Sequence, residues 1–117
     1  MEMKPVKALT GTIKHFPGLY LHILLTEEDG VIVARCLDFS VSSHGENQED
    51  ALASLSECIT DYLNYAISQG AFDEIIDPDD QYFWNVFRVQ KLKEESAIIR
   101  KNVSAVKKTG IPEICYA

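Results

Sequence analysis

The longest regular pattern of apolar positions runs from Gln48 to Gln69, a stretch without proline or glycine. Apolar residues recur there every three or four positions, which is typical of an amphipathic helix. They are Leu52, Leu55, Ile59, Leu63 and Ala66, flanked by Ala51, Cys58 and Tyr62. Asn47 can cap the first amides, and Gly70 can supply the left-handed residue that ends a helix. The pattern therefore predicts a long helix whose apolar stripe needs a partner surface.

Two aliphatic segments, 19–26 and 31–37, come before this helix and are separated by Glu27-Glu28-Asp29-Gly30. Asp-Gly between two such segments is a strong hairpin signal, because both residues tolerate the positive φ of a tight turn. A turn centred on Asp29 and Gly30 predicts a register in which Glu28 faces Val31, Thr26 faces Val33 and Leu24 faces Arg35.

Side chains alternate across a sheet, so this register separates two faces. The inner face, expected to receive the helix, holds Leu21, Ile23, Leu25, Ile32, Ala34 and Cys36. The outer face holds Tyr20, His22, Leu24, Thr26, Val31, Val33, Arg35 and Leu37, and is too apolar to leave in water. The C-terminal segment, a second copy of the chain or another protein could cover it. If the C-terminal segment leaves it open, we expect an oligomer interface at Tyr20, Leu24, Val33 and Arg35.

The remaining segments are less regular. Residues 5–18 suggest a weak strand or an extended lead-in, and 39–43 a brief third strand. Aromatic and β-branched residues favour a further strand over 82–92, followed by a helix over 94–108 and a short strand over 111–116. We therefore predict one α+β domain spanning 1–117, with a core over 19–92 and a C-terminal extension over 93–117. Its expected architecture is a three-stranded antiparallel sheet, one long helix across it and a further strand.

Charge is divided unevenly along the 117 residues. Residues 1–26 carry a net charge of +2, residues 27–80 carry −13 and residues 81–117 carry +4. The acidic middle is either a solvated surface or the binding surface for a basic protein, and it is a poor match to nucleic acid. The basic C-terminal segment leaves nucleic acid open. No apolar run reaches the length of a membrane span and no signal segment is evident, so a cytoplasmic protein is expected.

Candidate catalytic and metal-binding residues are scattered. Asp77, Asp79 and Asp80 crowd one loop but lack the spacing of a calcium-binding loop, so a solvated loop is favoured. The three histidines and three cysteines show no zinc-ligand spacing, and Cys36 and Cys58 fall in apolar patterns. We therefore predict no catalytic residue, no metal and no cofactor. A small hydrolase or metal enzyme is the weakest alternative.

The order of short motifs from Leu19 to Ala66 resembles the HicB family of antitoxins. The matching positions are Glu28-Asp29-Gly30, Val33-Ala34-Arg35-Cys36, Asp38-Phe39, Ser43-His44-Gly45, Glu49-Asp50-Ala51-Leu52, Leu55, Glu57 and Tyr62-Leu63. The resemblance implies a truncated ribonuclease-H-like fold without the catalytic acidic cluster. It also implies a partner, a HicA-like toxin, which is a small basic ribonuclease with a catalytic histidine that cleaves messenger RNA.

Two departures from the family pattern qualify this resemblance. The segment between Asp38 and Gly45 is one residue shorter and lacks the usual Pro-Gly. Many members also carry a ribbon-helix-helix or helix-turn-helix module for DNA, whereas 94–117 predicts a single helix. The first hypothesis is thus an antitoxin, in a homodimer or larger homo-oligomer, that meets its toxin through Asp50, Glu57 and Asp61. The alternative is an orphan HicB-like regulator that binds DNA through its basic C-terminal segment.

Overall fold

The protein is an α+β molecule with a four-stranded antiparallel sheet and two long helices. The computed structural model describes residues 2–109 and 114–116. The strands are β1 (Met3–Thr12), β2 (Tyr20–Glu28), β3 (Val31–Cys36) and β4 (Val41–Gly45). They are followed by α1 (Gln48–Ser68), a short 3₁₀ turn (Phe72–Glu74) and α2 (Gln81–Thr109). The strands lie in the order β1-β2-β3-β4, so each pairs with its neighbour in the chain.

The central hairpin has the predicted register. Leu24 pairs with Arg35, Thr26 with Val33 and Glu28 with Val31. Asp29 and Gly30 both have positive φ, 53° and 78°, as the tight turn requires. The hairpin and its two faces are therefore confirmed.

Helix α1 packs on the inner face, chiefly against β3 and β4. Its N-terminus is capped as predicted, because the Asn47 side chain accepts a hydrogen bond from the Asp50 amide at 2.8 Å. Past its C-terminus Gly70 has a φ of 66°, which confirms the predicted stop. The buried core between helix and sheet is centred on Leu21, Ile23, Leu25, Ala34, Cys36, Phe39, Ala51 and Leu55.

The predicted strand over 82–92 is wrong, because these residues form the first three turns of α2. Aromatic and β-branched residues favour strands only weakly, and packing overrides that preference. Phe83 and Phe87, four residues apart, share the helix face that contacts the sheet. The Asp80 carboxylate accepts a hydrogen bond from the Tyr82 amide at 2.8 Å, which satisfies an amide of the first turn. The predicted helix over 94–108 is confirmed as the continuation of the same helix.

The fourth strand lies at the other end of the chain. β1 pairs with β2 from Met3 opposite Glu28 to Thr12 opposite Tyr20, with an irregularity between Pro5 and Lys7. The weak lead-in expected over 5–18 is thus in large part an edge strand, outside the predicted core of 19–92. Of the short strand predicted over 111–116, residues 111–113 lie outside the described residues, and 114–116 have no regular secondary structure.

The outer face of the sheet is covered by α2, which packs on β1 and β2. Leu24, Leu37 and Phe87 form a second small core there, together with Ala8. The oligomer interface predicted at Tyr20, Leu24, Val33 and Arg35 depended on an open face. Leu24 is instead fully buried, Val33 and Arg35 are half-buried, and only Tyr20 is largely exposed. The predicted interface depended on the C-terminal segment leaving this face open, and that condition is not met, because α2 of the same chain covers the face.

Candidate interaction surfaces

The predicted partner-binding residues form one stripe on α1, which we call the acidic stripe: Asp50, Glu57 and Asp61. Their spacing of seven and four residues places them on the same side of the helix. All three are exposed, on the side opposite the buried Ala51 and Leu55. The structure thus brings these three residues together on an open surface, as the helical period predicted.

Two of the three acids have no partner among the residues that the structure describes. Asp50 contributes to the helix start, where its carboxylate accepts a hydrogen bond from the Asn47 side-chain amide at 3.2 Å. Glu57 and Asp61 form no salt bridge with any described residue, and they line a shallow hollow with Ser56 and Thr60. A like-charged pair four residues apart costs a helix roughly 0.2 to 0.5 kcal/mol. A cationic partner would reverse that cost.

Asp38, an acid outside the acidic stripe, makes its contacts within the fold. One carboxylate oxygen accepts a hydrogen bond from the His22 backbone amide at 2.6 Å, and the other lies 3.0 Å from Nδ1 of the His22 ring. The ring in turn contacts Trp84 and Phe87 of α2, with centroids 5.1 and 5.4 Å away. Asp38 therefore holds the start of β2 and orients a ring against which α2 packs.

This His22–Asp38 pair was not anticipated as a pair. The signal was present, because the hairpin register places His22 opposite Leu37, the residue just before Asp38. The contact of His22 with α2 is not predictable from the pattern, because the segment that covers His22 is predicted as a strand and forms a helix instead. The pair is a structural link between the sheet and α2.

Arg35 belongs to a polar network beneath α2. Its guanidinium donates to the Glu28 carboxylate and to the Thr26 hydroxyl, both at 3.0 Å, and Thr26 donates to Glu28 at 2.8 Å. The guanidinium also lies 4.3 Å from the centre of the Phe83 ring. Burial alone would raise the pKa of Glu28, but the hydrogen bonds from Arg35 and Thr26 and the positive charge of Arg35 outweigh it and lower the pKa.

The opposite charge is concentrated on α2. Its 29 residues include seven bases and two acids. The bases are Arg88, Lys91, Lys93, Arg100, Lys101, Lys107 and Lys108, and all but the half-buried Lys91 are exposed. The chain therefore presents an acidic surface on α1 and a basic surface on α2, on opposite faces of the sheet.

Within the described residues, no three histidine, cysteine or acidic side chains converge to hold a metal ion. The loop acids Asp77, Asp79 and Asp80 serve local structure instead. Asp77 and Asp79 donate their backbone amides to the carbonyls of Asp38 and Leu37, both at 2.8 Å. Across the described part of the chain, neither long helix has an apolar stretch sufficient to cross a bilayer.

Comparison of the chain with protein-family models, with curated proteins and with solved structures finds no match.

Proposed function

We propose that this protein is a HicB-like antitoxin, without catalysis of its own, that binds and neutralises a small basic ribonuclease toxin in the cytoplasm. The observation that carries the proposal is the unpaired, like-charged face of α1 at Glu57 and Asp61, which has the charge expected of a surface for a cationic partner. The relationship of the fold to a truncated ribonuclease H is part of the same proposal.

The motif positions provide the second support. Glu28-Asp29-Gly30 closes the hairpin, Asp38-Phe39 follows β3, and Ser43-His44-Gly45 ends β4 immediately before α1. Several of these residues have clear structural roles, since Phe39 is buried in the inner core and Asp38 holds β2. The motifs that carry the resemblance thus lie in successive elements of one β-hairpin, strand and helix unit.

The test is co-expression with the adjacent reading frame, if that frame encodes a small basic protein that arrests growth when expressed alone. We expect the wild-type chain to relieve the arrest. Glu57→Lys/Asp61→Lys should fail to relieve it, because two cations would face a cationic partner.

The matched control is Asp73→Lys/Glu74→Lys, which makes the same charge change at two exposed acids of the 3₁₀ turn. This variant should still neutralise the toxin. Neutralisation by both variants would remove Glu57 and Asp61 from the interface. A basic neighbour whose arrest the wild-type chain does not relieve would contradict the antitoxin function itself.

A second candidate is DNA binding by an orphan regulator, favoured by the exposed bases of α2. A single basic helix can neutralise backbone phosphates, and such binding weakens steeply as salt rises. A mobility-shift assay with the upstream DNA of the operon tests it. Lys107→Ala/Lys108→Ala should weaken a real complex and lower its salt dependence, whereas unchanged binding would exclude these two residues.

A further inference from the structure

Helix α2 extends well beyond the sheet that supports its first half. The chain has a radius of gyration of 17.2 Å and a longest extent of 56 Å. A compact chain of this length would have a radius of gyration of roughly 13 Å. The last side chain of α2 that bonds to the sheet is Glu94, which accepts a hydrogen bond from the Ala8 amide at 2.9 Å. From Ile98 to Lys108 every residue is exposed.

The exposed side of α2 has a regular apolar pattern, which we call the outer stripe. Its members follow one another at spacings of three, four, three and four residues, the a and d positions of a heptad repeat. They are Val89, Leu92, Ser96, Ile99 and Val103. Ile99 is 65% exposed and Leu92 57% exposed, so these are large apolar side chains in contact with water.

The outer stripe points away from the protein's own sheet. Most residues that face the sheet occupy the b, c and f positions of the same repeat, and one, Val86, lies at e before the outer stripe begins. They are Phe83, Trp84, Val86, Phe87, Gln90 and Glu94. In an α-helix the b, c and f positions lie opposite a and d. A second helix can therefore lie along the outer stripe without displacing any contact between α2 and the sheet.

The charges beside the outer stripe distinguish between the two orientations in which a second copy of α2 can pair with it. From Val89 onward the e positions are all basic: Lys93, Arg100 and Lys107. An antiparallel copy would set these bases against one another. In a parallel pair, Glu95 at g faces Arg100 of the other copy, and this attraction occurs twice. Arg88 at g faces Lys93, an unfavourable pair that also occurs twice, so charge penalises the parallel arrangement less than the antiparallel one.

From these observations we infer that α2 mediates dimerisation of the chain as a parallel two-stranded coiled coil along the outer stripe. Val89 at a with Leu92 at d is the combination that favours two strands. The next heptad has Ser96, the one polar residue in the seam, at a and Ile99 at d. The two sheets lie on the outside of the pair. This surface is distinct from the acidic stripe of α1, so each copy keeps that stripe free.

Sedimentation equilibrium of the full chain over a wide concentration range tests the inference. The wild type is expected to dimerise. Ile99→Lys should lower the association constant roughly 100-fold or more, because each dimer would bury two unpaired charges. The control is Ile98→Lys, its neighbour at position c, which is 59% exposed and lies outside the seam. This control should dimerise like the wild type.

The charge pattern tests the orientation. Arg100→Glu should weaken a parallel dimer by placing an acid opposite Glu95, and adding Glu95→Arg should restore it. Residues 95 and 100 are five positions apart and do not face each other within one helix, so the restoration requires a second copy. Trp84, the sole tryptophan, reports in every variant that α2 remains docked on the sheet.

Three results would overturn the inference. A wild-type chain that stays monomeric leaves the outer stripe to a different protein. Equal dissociation by Ile98→Lys and Ile99→Lys shows that added charge, and not the seam, is responsible. A double variant at 95 and 100 that stays as weak as Arg100→Glu excludes the parallel arrangement.

Discussion

At the scale of single residues, Gly45 is the glycine with the least room for a side chain among those that the structure describes. A Cβ at Gly45 would lie 2.5 Å from the Ala51 amide nitrogen and 2.8 Å from the backbone carbonyl carbon of Asp50. These are backbone atoms of the first turn of α1 and cannot move aside singly. The need for glycine here comes from this close approach of β4 and α1.

We therefore expect Gly45→Ala to lower the free energy of unfolding by about 2 to 3 kcal/mol. Gly11→Ala is the control, since a Cβ there would make ordinary contacts of 3.7 Å with Leu21 and 3.8 Å with Ile23. It should leave stability unchanged or raise it by about 0.5 kcal/mol, because alanine restricts the unfolded chain. Urea unfolding measures both, and equal losses would refute the close-approach argument.

Cys36 supports a prediction about alkaline pH. Burial raises the pKa of this thiol to about 11 from an ordinary value of 9.0, and it outweighs the backbone hydrogen bonds of Asp38 and Phe39, which act to lower the pKa. Between those two pH values the unfolded chain loses the proton while the folded chain keeps it. Stability should therefore fall as pH rises from 9 towards 11, with a contribution from Cys36 of up to about 1.4 kcal/mol per pH unit.

The measurement is urea unfolding at several alkaline pH values, for the wild type and for Cys36→Ala. The variant loses some stability at every pH but should show the shallower decline, since other titrating groups are common to both proteins. Parallel declines would show that Cys36 does not contribute. In the native chain the exposed Cys115 should be alkylated well before Cys36.

At the scale of elements, α2 is attached to the sheet chiefly through Phe87. This ring is buried among Ala8, Leu24 and Leu37 and contacts the edge of the His22 ring. Phe87→Ala should cost about 3 kcal/mol of unfolding free energy, because the cavity lies where the two elements meet. Ile98→Ala, at an exposed position of the same helix, should cost less than about 1 kcal/mol.

Denaturation followed by the fluorescence of Trp84 distinguishes these two variants of α2. A Phe87→Ala protein as stable as Ile98→Ala would mean that α2 is not held on the sheet by this core. A shifted emission before denaturant is added would show that α2 has already separated in the Phe87→Ala variant.

The elements also show which parts of the fold the sequence determines locally. The register of the hairpin follows from Asp29-Gly30, and the helix period alone places α1 and its acidic stripe. β1 could not be predicted firmly, because Lys4, Pro5 and Gly11 are poor strand formers. It is held by pairing with β2 and by distant residues of α2, where Glu94 accepts from the Ala8 amide and Gln90 donates to the Val6 carbonyl.

Of the candidate interaction surfaces, too, the sequence predicts only the part that depends on local structure. The helical period of α1 alone predicts that the residues of the acidic stripe share one exposed side of the helix, and the structure agrees. The outer-face residues Leu24 and Arg35 could not be assigned correctly, because their environment depends on α2. The residues over 82–92 have aromatic and β-branched side chains, whose local preference for strand is outweighed by the packing of Phe83 and Phe87.

At the scale of the whole molecule, the projecting half of α2 should change its behaviour with concentration. An isolated helix of about 12 to 15 residues is only marginally stable in water. In dilute solution we therefore expect the amides beyond Ile98 to exchange with solvent much faster than those of α1. At high concentration, pairing along the outer stripe should slow them.

Hydrogen exchange at two protein concentrations measures this effect, with α1 as the internal reference. In Ile99→Lys the amides beyond Ile98 should exchange rapidly at both concentrations, whereas Ile98→Lys should behave like the wild type. Strong protection in dilute wild-type protein would instead mean that the helix is stable alone.

The bonds between β1 and α2 also determine when the fold can be completed during synthesis. The hydrogen bond from Ala8 to Glu94 joins residues 86 positions apart. β2, β3, β4 and α1, by contrast, lie within one continuous segment, which can assemble as soon as it leaves the ribosome. Until Glu94 follows, the outer side of β1 keeps a free amide edge and Leu24 remains uncovered. The segment that contains α2 thus satisfies part of a sheet edge, the Ala8 amide and the Val6 carbonyl, that would otherwise be open to pairing with another chain.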